Sequence, residues 1–169
     1  DWAENPGLIQ RDKATIYIPV FEFRKYANVT FVTSNDWVQW SIYFNNYGDT
    51  TIDTVWINET LPFNMTYQND NATQCSIAYS GDENNVTRTI VGWTADGYEI
   101  IYKFTNVTPG THWFVINCTV NSTVETYELI NNVTLETDAM PVTLNTYASV
   151  YIIPEYTEIF IPVLITVIA

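Results

Sequence analysis

The chain has 169 residues, enough for one domain with a substantial core. It carries nineteen acidic against six basic side chains, a formal net charge of −13. A chain this acidic repels a phosphate backbone, which excludes nucleic acid as a partner. We interpret the acid surplus as a solubilising surface, with calcium or a cationic surface as the alternative.

The aromatic and β-branched content indicates the fold class. Twelve Tyr, eight Phe and six Trp occur in a chain rich in Thr, Val and Ile, a composition typical of strands. Runs of Ala, Leu, Glu and Lys from which helices are built are almost absent. We therefore predict an all-β fold.

Alternating segments recur along the chain at intervals of roughly eight to twelve residues, as in a β-sandwich. Pro19 suggests that the first predicted strand, 14–23, lies at an edge. Further strands are predicted within 28–57 and at 74–79, 87–93, 98–104, 112–120, 129–136 and 142–153. We assign residues 1–152 to one sandwich domain because no low-complexity linker divides them.

Nine of the seventeen Asn begin an N-x-Thr sequon, against about three expected by chance. Strand alternation places Asn117 opposite the apolar residues of its strand, and Asn132 likewise, so both face water as a glycan requires. We predict an extracellular protein with N-linked glycans as its covalent modification. The predicted glycosylation sites are Asn28, Asn58, Asn64, Asn71, Asn85, Asn106, Asn117, Asn121 and Asn132.

The two cysteines, Cys75 and Cys118, are either buried thiols or one disulfide. A structural zinc site needs four ligands, and the chain has one His. Thiols oxidise outside the cell, so we predict a Cys75–Cys118 disulfide. Chain-entropy arithmetic gives such a link about 4 kcal/mol. Asp1 is interpreted as a mature N-terminus left by signal-peptide cleavage.

Residues 43–67, "YFNNYGDTTIDTVWINETLPFNMTY", resemble the first half of a prokaryotic surface-repeat family, domain of unknown function eleven. The resemblance is carried by the Gly48-Asp49 turn and the Leu61-Pro62 pair, and later by Trp93 and the Pro109-Gly110 turn. It covers about 36–137. The resemblance implies an immunoglobulin-like antiparallel sandwich on cell-surface proteins, often archaeal, and it implies no chemistry.

No residue pattern indicates catalysis. His112 is the only histidine, and the sequence has no nucleophile elbow with which it could form a catalytic triad. We interpret His112 as the start of a strand. The oxygen-rich stretches "NDNATQ" and "SGDENN" do not match a calcium loop, so calcium stays unsupported. We predict no enzyme and no catalytic, cofactor or metal site. We interpret Lys103 as an outward lysine and not as one buried for cross-linking.

Four tryptophans exceed what the predicted core requires. They could stack on sugars, pack under the protein's own glycans or form a subunit contact, and their pattern does not separate these. The four are Trp2, Trp37, Trp56 and Trp113.

The apolar C-terminal segment, 153–169, is too short and too interrupted to cross a bilayer, which takes about 20 apolar residues. In one interpretation it is a truncated membrane anchor, since "IPEY" followed by an apolar run resembles Pro-Glu-Phe sorting tails. In the other it is a strand buried on both faces, supplied to a neighbouring copy by donor-strand complementation. The predicted subunit-contact residues are Ile159, Phe160, Ile161, Val163, Leu164, Ile165, Val167 and Ile168.

Two features complicate the donor interpretation. Pro162 cannot donate to a strand ladder. Residues 1–21 form a rival donor, and a third possibility is that the tail returns into its own sandwich as a last strand.

We therefore predict the structural subunit of an extracellular filament, pilus or surface layer, a homopolymer formed by strand exchange because a donor–acceptor contact is heterologous. The alternative is a membrane-anchored ectodomain, an adhesin or carbohydrate-binding module. The chain would have a membrane as a partner only if the C-terminal segment is such an anchor.

Overall fold

The computed structural model describes residues 21–70, 72, 86–121 and 127–153. These residues form an all-β sandwich, which confirms the predicted fold class. The described strands are β1 Phe21–Ala27, β2 Phe31–Val32, β3 Trp37–Asn46, β4 Ile52–Leu61, β5 Met65–Asp70, β6 Val86–Trp93, β7 Tyr98–Val107, β8 Gly110–Val120, β9 Tyr127–Thr137 and β10 Met140–Ile152.

The strands form two sheets that face each other. One has the order β1-β3-β8-β5, and the other has the order β2-β10-β9-β4-β7-β6. The pairs are antiparallel except for β2 and β10, whose short contact is parallel. β1 belongs to the first sheet and β2 to the second, so the chain changes sheets between Ala27 and Phe31.

The core is built by strict alternation along the central strands. The inward residues of β3 (Val38, Trp40, Ile42 and Phe44) are buried, while Trp37 on the opposite face is 57% exposed. On β8 the predicted face is confirmed, because His112, Phe114, Ile116, Cys118 and Val120 are all buried. Period-2 reasoning thus located the core, since a residue and its second neighbour share one face of a strand.

Two predicted strands differ from the structure or lie beyond its description. The first was placed at 14–23, but β1 extends to Ala27, and residues 14–20 lie outside the described residues. The sequence pattern predicts too early an end for this strand because Arg24 and Lys25 interrupt the apolar run. Lys25 nevertheless points inward. The predicted strand at 74–79 also lies outside the described residues.

The sandwich has two distinguishable ends. At the entry end, β1 and β10 both begin, with Phe21 opposite Asn46 and Met140 opposite Thr137. At the exit end, β10 finishes with Ile152 opposite Tyr127. The β6–β7 turn at the exit end requires Gly97, whose φ is +146° and whose added Cβ would lie 2.3 Å from the Leu61 carbonyl oxygen.

Among the described residues, no helix is long and apolar enough to span a bilayer.

Candidate functional site: two buried polar clusters and the outer surfaces

A buried ion pair joins the two sheets at the β1 side of the sandwich. Lys25 on β1 places its Nζ 2.6 Å from both carboxylate oxygens of Glu59 on β4. Neither side chain has any solvent exposure. A charge pair without water is costly to bury, so it needs a compensating structural or chemical role.

Burial of this pair disfavours charge. The Lys25 Nζ lies 5.4 Å from the centroid of the Trp40 ring, whose face attracts a cation. Burial lowers the pKa of Lys25, and the charge and hydrogen bonds of Glu59 offset this only in part. Burial likewise raises the pKa of the neighbouring Cys118 thiol, and the charge of Glu59 raises it further.

Asn131 on β9 lies next to the ion pair in the sheet register. Val133 is directly opposite Glu59, and Asn131 is the next inward residue of β9. Asn131 has no solvent exposure, and neither its Oδ1 nor its Nδ2 has a hydrogen-bond partner. A buried amide with both polar atoms unpaired is rare in folded proteins and calls for an explanation. We name Lys25, Glu59 and Asn131 the β1-side cluster.

A second polar cluster joins the sheets at their other side. Its centre is Asp70 on β5, whose side chain is 2% exposed. The Asp70 Oδ2 accepts hydrogen bonds from the hydroxyls of Tyr67 (2.6 Å) and Tyr102 (3.0 Å) and from Arg88 Nη1 (2.8 Å). Its Oδ1 accepts from the backbone N–H of Ala72 at 3.0 Å. We name Asp70, Tyr67, Tyr102 and Arg88 the β5-side cluster.

The β5-side cluster holds its carboxylate ionised. Burial opposes the charge of Asp70, but the hydrogen bonds from Tyr67, Arg88 and Ala72 outweigh it, so the pKa of Asp70 lies below its usual value. Burial and the same carboxylate raise the pKa of Tyr102 well above that of a free tyrosine. The tyrosines therefore stay protonated and act as donors.

His112 is part of the core, in line with its prediction as a residue that starts a strand. It is buried, stacks on Phe44 with ring centroids 5.1 Å apart, and places Nε2 2.9 Å from the Thr108 carbonyl oxygen. Burial lowers the pKa of His112 despite that backbone contact. The neutral ring with a proton on Nε2 satisfies this contact.

The described residues do not test the predicted disulfide or the predicted contact strand. Cys118 is a buried free thiol in the structure, which gives no support to a disulfide. Cys75 lies outside the described residues, and so do residues 154–169, which include the whole predicted subunit-contact set. The disulfide and the donor strand stay predictions.

Seven of the nine predicted glycosylation sites lie in the described residues; Asn71 and Asn85 do not. Asn28, Asn106, Asn121 and Asn132 are exposed, whereas Asn58, Asn64 and Asn117 are half-buried. The side chain of Asn117 makes two hydrogen bonds. Its Nδ2 donates to Asn69 Oδ1 at 2.7 Å, and its Oδ1 accepts from Gln39. A glycan on Asn117 would replace one of the two Nδ2 hydrogens and leave the other as the only donor for the contact with Asn69.

The outer surfaces carry aromatic rows. Tyr26, Tyr43 and Trp113 follow one another across the four-stranded sheet, with ring centroids 5.6 and 6.2 Å apart. On the other sheet Lys103 is exposed and lies 5.9 Å from the Trp56 ring centroid, so the predicted outward position of Lys103 is confirmed. Trp2 lies outside the described residues.

In the described part of the chain, no group of three or more His, Cys, Asp or Glu side chains is arranged to hold a metal ion. The stretch "SGDENN" and half of "NDNATQ" lie outside that part.

Sequence reasoning missed the whole β1-side cluster, although a signal for it exists. Lys25 is in phase with the buried Phe21, and Glu59 is in phase with Ile57 and Leu61. Asn131 is likewise in phase with Leu129 and Val133. A polar residue on the apolar face of an alternating strand marks a buried polar group, and three such strands occur here.

No protein-family model matches the chain, and no curated protein matches it in sequence. Solved structures do match in fold. The full-length major pilin SpaD of Corynebacterium diphtheriae aligns with a TM-score of 0.59 at 12% identity over 78% of this chain and 34% of that chain. A 35 kDa C-terminal fragment of the major pilin GBS80 of Streptococcus agalactiae aligns with a TM-score of 0.53 at 10% identity, over 78% of this chain and 55% of the fragment.

The seventh ScaB type I cohesin of Pseudobacteroides cellulosolvens aligns with a TM-score of 0.51 at 12% identity, over 78% of this chain and 92% of the cohesin. The chain thus spans a third to about half of the pilin chains that it matches. At these identities the likeness shows that the sandwich fold is shared with pilin and cohesin domains.

Proposed function

We propose that this chain is the structural subunit of an extracellular, glycosylated filament or surface layer, and that it has no enzymatic role. Copies would join by strand exchange, with residues 159–168 of one copy pairing with the open edge of β10 in the next. The single observation that carries this proposal is that edge. The likeness in fold to domains of two major pilins supports it.

The open edge belongs to a long strand in the six-stranded sheet. β10 pairs along most of its length with β9, but within the described residues its other side pairs only through Tyr151 and Ile152, with β2. Residues 140–150 therefore present main-chain groups with no ladder partner in the described part of the chain. Val142 and Tyr147 on this strand are 59% and 63% exposed. An edge of this length that has no ladder partner among the described residues is a template for a further strand.

The geometry of the two ends favours a head-to-tail arrangement. The last described strand ends at the exit end, where Ile152 pairs with Tyr127. The open part of β10 starts at the entry end, with Met140 opposite Thr137. A segment that continues from the exit end of one copy meets the entry end of a copy stacked above it. Such a contact is heterologous and propagates into a fibre.

The test removes the proposed donor from the full chain. We expect the complete protein to form fibres in negative-stain images, and deletion of 159–169 to leave monomers. A synthetic peptide of residues 159–168 should then bind the shortened protein one to one. Fibres that persist after the deletion would show that this segment is not the donor.

A matched pair of edge variants tests the acceptor. Val142→Lys places a charge beside the open part of β10 and should slow assembly, because a lysine on an edge strand opposes pairing. Ile90→Lys makes the same change on β6, the edge strand on the other side of that sheet, where Ile90 is 47% exposed. Loss of assembly in Ile90→Lys alone would assign the acceptor to β6 and overturn the proposed edge.

A surface module that binds carbohydrate is a second candidate, favoured by the aromatic row Tyr26, Tyr43 and Trp113. Tyr26 and Tyr43 line a shallow cleft that also includes Glu22 and Arg24, and Trp113 stacks on Tyr43. Flat aromatic rings beside polar groups suit sugar rings. Binding of polysaccharides that is lost in Trp113→Ala would support this function. Unchanged binding in that variant would exclude the row as the site.

A further inference from the structure

The β1-side cluster brings three reactive group types to one side of the core, where none of the three is exposed to solvent. Lys25 crosses from the four-stranded sheet to reach Glu59 on the six-stranded sheet, with its Nζ 2.6 Å from both carboxylate oxygens. Asn131 lies on the strand next to Glu59, diagonal to it across the β4–β9 ladder. Diagonal neighbours on one face of a sheet are within reach of long side chains. An amine, a carboxylate and a carboxamide thus lie on the same side of the core.

The strand order also places Lys25, Glu59 and Asn131 at the same side of the sandwich. β1 packs beside β10, and the β10 residue Ala148 is directly opposite Asn131. The same side therefore holds β1, which carries Lys25, and β9, which carries Asn131. Glu59 completes the group from β4, the next strand after β9.

We propose that Lys25 and Asn131 form an intramolecular isopeptide bond, with Glu59 transferring the protons. This inference does not depend on the filament proposal, since it concerns the fold of a single copy. It gives the unpaired amide of Asn131 a role as the electrophile. It also accounts for a lysine that would otherwise be a buried charge.

The reaction balances without any other reactant. Glu59 takes a proton from the Lys25 ammonium, and the neutral Nζ attacks Cγ of Asn131. The Nζ–Cγ bond forms and the Cγ–Nδ2 bond breaks, with no change in oxidation state. One proton stays on the new amide nitrogen, ammonia leaves with three, and Glu59 retains the last, which it later loses to solvent or to the departing ammonia.

The electrostatics of the site favour the first step. A lysine is a nucleophile only as the free amine, and desolvation favours that form. Burial lowers the pKa of Lys25, in the direction that the attack requires. A carboxylate within hydrogen-bond distance of the ammonium can take its proton and pass it on, as a general base and then acid.

The test is a mass measurement on the full chain, produced in a host that attaches no N-linked glycans. We expect the folded protein to be lighter than its sequence by one ammonia. We also expect digestion to yield one branched peptide in which Lys25 is joined to Asn131. Unlinked peptides from protein kept folded for days would overturn the proposal. Ammonia loss without a branched peptide would overturn it too, because cyclisation of an asparagine also releases ammonia.

Variants separate the three roles. Lys25→Arg keeps the charge but removes the nucleophile, since a guanidinium is not deprotonated in proteins. Glu59→Gln keeps the shape of the side chain and removes the base. Both should retain the full mass, whereas the matched control Lys103→Arg, at an exposed lysine, should lose ammonia like the unmodified chain. A branched peptide in Glu59→Gln would overturn the role of Glu59.

Asn131→Asp gives a sharper control. Its carboxyl group would be joined to Lys25 with loss of water in place of ammonia. A branched peptide in this variant with the water loss supports the assignment of the electrophile, and an ammonia loss that persists there would place the reaction at another residue.

Discussion

The two polar clusters of this sandwich lie at opposite sides of one core, and they differ in how completely their groups are paired. The β5-side cluster gives Asp70 four donors at 2.6 to 3.0 Å, so its carboxylate is satisfied. The β1-side cluster leaves both polar atoms of Asn131 without a partner. A saturated network stabilises a fold, whereas an unsatisfied group beside a reactive pair indicates chemistry.

The same contrast has a mechanical consequence. The β5-side cluster joins the sheets through hydrogen bonds that a pulling force can break one at a time. An isopeptide bond at the β1 side would join β1 to β9 covalently and so close most of the domain into a loop. In a filament subunit, tension between those strands would then pass through the covalent link.

The largest expected effect tests the buried ion pair itself. Glu59→Leu leaves the Lys25 charge alone in the core, while the double variant Lys25→Met, Glu59→Leu removes both charges. Neither variant can form the link, so the link does not contribute to the difference between them. What the difference measures is the cost of leaving the Lys25 charge unpaired in the core, and we expect the single variant to be less stable than the double variant by about 3–5 kcal/mol in urea unfolding. Equal stabilities would show that water reaches the cluster.

Tyr102→Phe tests the β5-side cluster with a smaller change. The variant removes one donor from the Asp70 carboxylate, and a hydrogen bond to a charged group contributes about 1.5–3 kcal/mol. The matched control is Tyr147→Phe, whose side chain is 63% exposed and whose effect should stay within about 0.5 kcal/mol. Similar losses in both variants would mean that the Tyr102 hydroxyl adds nothing specific.

The pH dependence of stability should separate the clusters further. The folded state lowers the pKa of Asp70, so its contribution is present above the ordinary Asp value of about 3.9 and is lost as the pH falls through the folded pKa. Urea midpoints measured from neutral to acid pH should show this loss in the unmodified protein. The loss of stability at acid pH should be smaller in Asp70→Asn. An unchanged loss in this variant would assign the effect to other carboxylates.

The smallest expected effect comes from His112, which belongs to neither cluster. Burial lowers its folded pKa below the ordinary value of about 6.5, so stability is complete above that value and declines as the pH falls from there to the folded pKa. His112→Gln should remove this shallow decline in urea midpoints between neutral pH and pH 5. A decline that persists in the variant would contradict the assignment.

Much of the fold was predictable because it depends on local periodicity. The alternation in "HWFVINCTV" located the buried face of β8, and the alternation from Trp37 to Phe44 located that of β3. The candidate site was not predicted, because a lysine on an alternating strand is usually exposed, as Lys103 is, whereas Lys25 is buried. Arg24 and Lys25 are adjacent charged residues that point to opposite faces of one continuous strand, and only Lys25 is buried.

Sequence by itself determined the fold class, the positions of most strands and which side of each strand meets the core, since these follow from the composition and from the two-residue repeat of a strand. It also supplied the sequons, whose positions require no folding to recognise. Only the tertiary structure decided that Lys25, Glu59 and Asn131 meet. They are far apart in the chain and on three strands of two sheets, and their proximity follows from strand order and register, which no local pattern encodes.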